Sequence, residues 1–186
     1  MEILKSILYM LPGLLIGFSI HEFSHAYVAS GRLTLNPIKH IDILGFIMIL
    51  VVGFGWAKPV QINTRSLKNP RRDELLISLA GPISNFVLSF LLAIIVYIMQ
   101  LIIGMNTDST FLVVLHDIIQ YASLLNLMLA LFNLIPLPGF DGYHSITALL
   151  PYKITEKLYF LERFSVIIFI IFIFSGLPDI ILGDVL

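Results

Sequence analysis

His21-Glu22-Phe23-Ser24-His25 places two imidazoles and a carboxylate inside an apolar run of membrane length. In a helix, residues four apart stand on one face, one turn from each other. Both histidines can then bind one metal ion, with Glu22 beside a metal-bound water. So short a pattern also arises by chance in soluble helices. Its setting adds weight, because three ionisable groups are costly in lipid and mark function there as a rule. The plainer alternative is a helix end at which His and Glu meet the headgroups.

Composition fixes the class. The chain has 186 residues, 58% hydrophobic and 12% charged, with a mean hydropathy of +0.97. A soluble domain carries about 25% charged residues, so this composition describes an integral membrane protein. The net charge of -1 offers no field for nucleic acid. Cysteine is absent, which excludes disulfides and thiolate ligands. Any metal must be held by His, Asp or Glu, and there are five histidines. Lys5 and the apolar run after it faintly resemble a signal peptide. The run continues into His21, so cleavage near there would destroy the motif, and an uncleaved transmembrane helix is expected. No linker, charge run or internal repeat interrupts the chain, so residues 1–186 are expected to form a single membrane-embedded domain.

A helical span takes about 20 apolar residues. The expected fold is therefore a mainly α, polytopic membrane protein with about four transmembrane helices. They cover residues 4–30, 74–103, 111–134 and 159–174, the last ended by Gly176-Leu177-Pro178. This fourth segment is short and begins near Glu162 and Arg163. Residues 43–56 are apolar but too short to span, and Gly45, Gly53 and Gly55 interrupt them. Their β-branched residues (Ile43, Ile47, Ile49, Val51, Val52) suit strand better than helix. A membrane-dipping β-hairpin is expected there, between the first two helices. Because open strand edges are not tolerated in lipid, it must lie against the helices or line a wet cavity.

Charge orients the loops. Arg32, Lys39, Lys58, Arg65, Lys68, Arg71 and Arg72, seven of the eleven basic residues, lie between the first two spans. Lys153 and Lys157 follow the third span, whereas the loop after the second has Asp108 and no base. The positive-inside tendency then puts the first and third loops in the cytoplasm and both chain ends outside. Asp179 and Asp184 fit that side, and Lys5 is a small objection.

A second constellation follows the third span: Asn133-Leu134-Ile135-Pro136-Leu137-Pro138-Gly139-Phe140-Asp141-Gly142. Pro136 and Pro138 terminate the helix. Taken alone, Asp141-Gly142 reads as an ordinary turn at a helix exit. Topology changes that reading. With two crossings between the motifs, Asp141 arrives at the membrane face where His21 and His25 lie. If residues 43–56 spanned, it would be on the wrong side. Two His and one carboxylate leave a fourth tetrahedral position open, as in catalytic zinc sites. Zinc would polarise a carbonyl and lower the pKa of its water to about 7. Glu22 could take the proton of that water and pass it to the leaving amine. The ligand types favour zinc, though cobalt or manganese also fit them.

Taken together, the two motifs resemble the site-2 protease family, the membrane-embedded zinc metalloproteases. Asn36-Pro37-Ile38-Lys39-His40-Ile41-Asp42, Gly55-Trp56-Ala57-Lys58-Pro59-Val60 and Ala80-Gly81-Pro82-Ile83-Ser84-Asn85 are similar too, in the family's order. The resemblance covers most of residues 15–150. Phe140 stands where Leu is usual, and Ile43 where Pro is frequent. It implies a compact member without PDZ or CBS domains, one Zn2+ per chain held by His21, His25 and Asp141, and Glu22 as catalytic acid/base. Asn85, in mid-helix, either bonds another helix or orients substrate near the metal. Asn133 either caps freed carbonyls or holds the substrate backbone, and the motif match favours the second. Ile49 and Leu50 are expected to pair with an unwound substrate by strand addition. The implied activity is hydrolysis of peptide bonds in or near the transmembrane segments of single-span membrane proteins, with release of a cytoplasmic fragment. The expected location is a prokaryotic cytoplasmic membrane, with the active site near the cytoplasmic face. The lipid bilayer and a single-span substrate are the expected partners, a regulatory partner is unidentified, and nucleic acid is not expected. A non-hydrolytic membrane metal-binding protein or transporter is the alternative, but it gives no reason for Glu22 between the ligands. A membrane di-iron oxygenase would need more than five histidines.

Overall fold

The computed structural model describes residues 2–29, 69–103 and 109–177. Helix α1 is Glu2–Val28, α2 is Pro70–Ile103 and α3 is Thr110–Asn133. These three are long and apolar enough to cross a membrane, at Lys5–Val28, Pro70–Leu101 and Thr110–Asn133. A helix satisfies its own backbone N–H and C=O groups, which is what a span through hydrocarbon requires. Pro12 and Pro82 lie inside α1 and α2 without ending them.

Side-chain pairings give the directions. His25 meets Ile77, while His21 meets Asn85, so α1 and α2 run antiparallel. A Cβ at Gly13 would lie 2.5 Å from Ala122, and one at Gly17 would lie 2.7 Å from Asn126, so α1 and α3 run parallel and nearly touch. The Asn126 amide donates to its own helix at Ala122 O (2.7 Å) and across to Gly13 O (3.4 Å). Ser123 Oγ donates to Ser89 O at 2.9 Å, joining α3 to α2. Small residues and buried amides at these crossings suit helices in lipid, where no hydrophobic force draws one helix to another. The outer faces stay apolar and exposed, as at Phe86, Phe90, Ile94 and Tyr97 of α2. The end of α1 and the start of α2 therefore lie on one side, and the end of α3 returns to that side.

Three short helices follow: α4 (Asp141–Leu149), α5 (Tyr152–Tyr159) and α6 (Ser165–Phe174), with a 3-10 turn at Phe160–Phe164 between the last two. Helix α4 packs on α2, where the Ser78 and Ser145 hydroxyls pair at 2.8 Å. Tyr143 Oη donates to Leu158 O, and Tyr159 Oη donates to Glu74 Oε1 at 3.1 Å, tying α5 to α4 and to the start of α2. Burial and the neighbouring Glu74 push the Tyr159 hydroxyl up to about 12, so it stays a donor.

Two expectations about the fold need correction. Among the described residues three helices, not four, qualify as spans. The apolar stretch at 159–174 is divided: its 3-10 turn carries Glu162 and Arg163, and α6 alone has 10 residues. At 1.5 Å per residue it reaches about 15 Å, half the hydrocarbon thickness. The second correction concerns the β element. The described residues contain no strand, and 43–56, with Ile49 and Leu50, lies outside them.

Candidate metal centre

The histidines stand one turn apart on the buried side of α1, and the sequence that follows α3 delivers the third group. After Asn133 the chain leaves the helix through Pro136 and Pro138, and Asp141 is the first residue of α4. Gly142 is a helical glycine and forms no turn. A Cβ there would lie 2.2 Å from Leu134 O and 2.8 Å from Ile135 O, so glycine lets α4 close against the end of α3. The Ser78–Ser145 pair fixes α4 from the other side.

Three ligand atoms converge as a result. His21 Nε2 lies 3.0 Å from His25 Nε2 and 3.0 Å from Asp141 Oδ2, and His25 Nε2 lies 3.2 Å from the same oxygen. His21, His25 and Asp141 are the group among the described residues that could hold a metal ion. Ligands bonded to tetrahedral zinc at 2.0–2.1 Å stand about 3.3 Å apart, close to the observed triangle. Asp141 Oδ2 is buried and receives no hydrogen bond of ordinary geometry among the described residues. Burial pushes the Asp141 carboxyl up, but the two imidazoles beside it outweigh that and hold it at about 2. The acid is therefore ionised at neutral pH, as a ligand must be.

The chain matches peptidase family M50 over residues 9–176, nearly its whole length. It belongs to that family. Relatives agree. YwhC of Bacillus subtilis (strain 168) is 40% identical over 188 residues, covering 96% of this chain and 85% of that protein. Rip2 of Mycolicibacterium smegmatis is 28% identical, covering 74% of this chain and 55% of its own length. Zinc metalloprotease MJ0392 of Methanocaldococcus jannaschii is 30% identical, covering 82% of this chain and 37% of its own. The chain thus spans most of the Bacillus relative and about half or less of the other two. No solved structure matches it. The resemblance to site-2 proteases is borne out, and with it a zinc metalloendopeptidase integral to the membrane.

The M50 site shows how the ligands are aimed. His25 Nδ1 lies 2.7 Å from Ile77 O. A carbonyl can only accept, so Nδ1 carries the proton and donates it. In the neutral ring Nε2 is then bare and faces the cluster. Asn85, fully buried in α2, sets its amide Nδ2 3.3 Å from His21 Nδ1. Between these two contacts lies Gly81. A Cβ there would stand 2.5 Å from His25 Nε2 and 2.7 Å from His21 Nε2. A single methyl would fill the cradle in front of both nitrogens, and its absence leaves room for an ion. Ligand types, spacing and this cradle all fit zinc.

Two more expected site residues, Glu22 and Asn133, and the other two described histidines fall as follows. Glu22 is half-buried on α1, next to His21. Asn133 donates through Nδ2 to Leu129 O at 2.8 Å, within its own helix. His144 lies on α4 with Nδ1 4.0 Å from Glu74 Oε1, and His116 pairs with Asp117 and Gln100 at the other end of α3. The Ile77 carbonyl has no signature in sequence, since every residue supplies one. Gly81 sits in a stretch that resembles the family, but there it reads as a packing glycine. The spacing 77, 81, 85, one turn each, was the available signal: it lays a carbonyl, a gap and an amide along the α2 face opposite the histidines.

Proposed function

We propose that His21, His25 and Asp141 hold one zinc ion and that Glu22 is the acid/base of a peptide hydrolysis. The observation that carries this is the triangle of two imidazole nitrogens and one carboxylate oxygen, with sides of 3.0 to 3.2 Å, in an M50 chain. When bound, zinc polarises a carbonyl and lowers the pKa of a coordinated water to about 7. Glu22 takes a proton from the attacking water and delivers it to the leaving amine. His25, whose Nδ1–H donates to Ile77 O, can offer the lone pair of Nε2, and Asp141 supplies the negative charge that offsets the metal's. Burial of the cluster strengthens each of these interactions relative to water.

The substrate class follows from where this chemistry sits. Family membership implies proteolysis of membrane-embedded substrates. Within that class we assign single-span membrane proteins, cut in or near the span, because a lone helix can unwind locally without dismantling a bundle. Asn133, the last residue of α3, is assigned to the substrate backbone through its carboxamide, on the strength of the motif it shares with the family. The basic residues Arg71 and Arg72 at the start of α2, near the histidine end of α1, favour the cytoplasmic face of a prokaryotic membrane.

The test is co-expression with candidate single-span proteins, comparing wild type with Glu22→Gln. Cleavage should fall by about 10²–10⁴-fold, the usual contribution of general acid–base catalysis. Zinc should remain stoichiometric in the variant. A membrane zinc carrier without hydrolysis would show no cleavage difference between the two proteins.

A further inference from the structure

The two histidines receive different support from α2. His25 Nδ1 faces a carbonyl, which accepts only. His21 Nδ1 faces the carboxamide of Asn85, which can donate or accept. The choice decides what His21 Nε2 offers the metal. If Asn85 Nδ2 donates to Nδ1, the neutral ring carries its proton on Nε2, with Asp141 Oδ2 3.0 Å away. No lone pair is then left for a metal. If the amide turns by 180°, Oδ1 accepts from Nδ1–H, and Nε2 is bare. Asn85 Oδ1 is buried without a hydrogen-bond partner among the described residues as the amide now stands; the turn gives it His21 Nδ1–H and moves Nδ2 to the place Oδ1 leaves, so the lone pair a metal needs on Nε2 decides between the two. Asn85 itself is 0% exposed, held in α2 two turns from Ile77 and one from Gly81.

We propose that Asn85 is a positioning residue of the metal centre: its Oδ1 accepts the Nδ1–H of His21 and thereby selects the tautomer that presents Nε2 to zinc. This rests on the assignment of His21 as a ligand. A metal-bound histidine as a rule donates its other N–H to an acceptor, and loss of that acceptor costs about 10–100-fold in metal affinity. Asn85 does for His21 what the Ile77 carbonyl does for His25. Helix α2 thus supports both ligands along one face.

Competition with a chromophoric chelator measures the zinc affinity of full-length protein in detergent, for wild type, Asn85→Leu, Asn85→Asp and His21→Ala. Thermal unfolding reports the fold. Asn85→Leu keeps the shape and removes the acceptor, so its zinc affinity should fall by about 10–100-fold. Asn85→Asp keeps an acceptor and should bind zinc at least as tightly as wild type. A folded Asn85→Leu with wild-type affinity would overturn the proposal, even if its KM for a substrate rose. If Asn85→Leu does not fold, Asn85→Asp decides: a tenfold weaker affinity there contradicts the role. His21→Ala separates this failure from a failure of the metal assignment. Wild-type zinc in that variant removes His21 from the ligand set, and the role of Asn85 falls with it.

Discussion

Asp141 depends on its surroundings more than any other ligand. It lies far from the histidines in sequence, and only the close seat of α4 on α3, through Gly142, brings its oxygen to 3.0 Å from His21. Asp141→Asn keeps the size and removes the charge, so zinc binding should weaken and activity be lost. Asp141→Ala should be more severe. Asp117→Asn is the control: this carboxylate pairs with His116, away from the triangle, and its loss should leave zinc content unchanged. The residue types were legible in the sequence because ligand chemistry is restricted: with no cysteine, only the five His and the twelve Asp and Glu could serve. Topology and the family motif together point to Asp141 in the sequence, although the Asp-Gly pair is not the tight turn it suggests. The carbonyl of Ile77 was not legible, since backbone atoms leave no mark in a sequence.

At the scale of the element, α2 works as the back wall of the site. Its face at Ile77, Gly81 and Asn85 holds both rings from behind and leaves space in front of them. Gly81→Ala tests that space. The rings cannot swing away without losing the Ile77 and Asn85 contacts, so a methyl at 2.5 Å from Nε2 must displace helix or ligands. Zinc affinity should fall by more than tenfold and stability by about 1–3 kcal/mol, the usual cost of overpacking. Metal titration and a melting curve on the same sample read both. Ser78→Ala makes a milder comparison. It breaks the pair with Ser145 that seats α4 and should cost about 1 kcal/mol while zinc still binds. Hydropathy found α1, α2 and α3 because length and apolarity are what the bilayer demands of a span. It misjudged 159–174, where composition is apolar enough but the helix breaks into a 3-10 turn around Glu162 and Arg163. Window averages do not see such a break.

For the whole molecule, the antiparallel course of α1 and α2 and the return of α3 make a prediction about sidedness. The chain has no cysteine, so single cysteines report cleanly. Asn69→Cys, before α2, and Ser109→Cys, before α3, should react with an impermeant thiol reagent from opposite sides of the membrane. Reaction of both from one side would contradict the three-helix arrangement. That arrangement matters because it brings two motifs, one at each half of the chain, to the same depth and face. Their meeting as a metal centre is the central claim, and zinc content tests it most directly. Purified wild type and Glu22→Gln should each carry one zinc per chain, and folded Asp141→Ala should carry little or none. Full occupancy in Asp141→Ala, or loss of zinc from folded Glu22→Gln, would contradict the account.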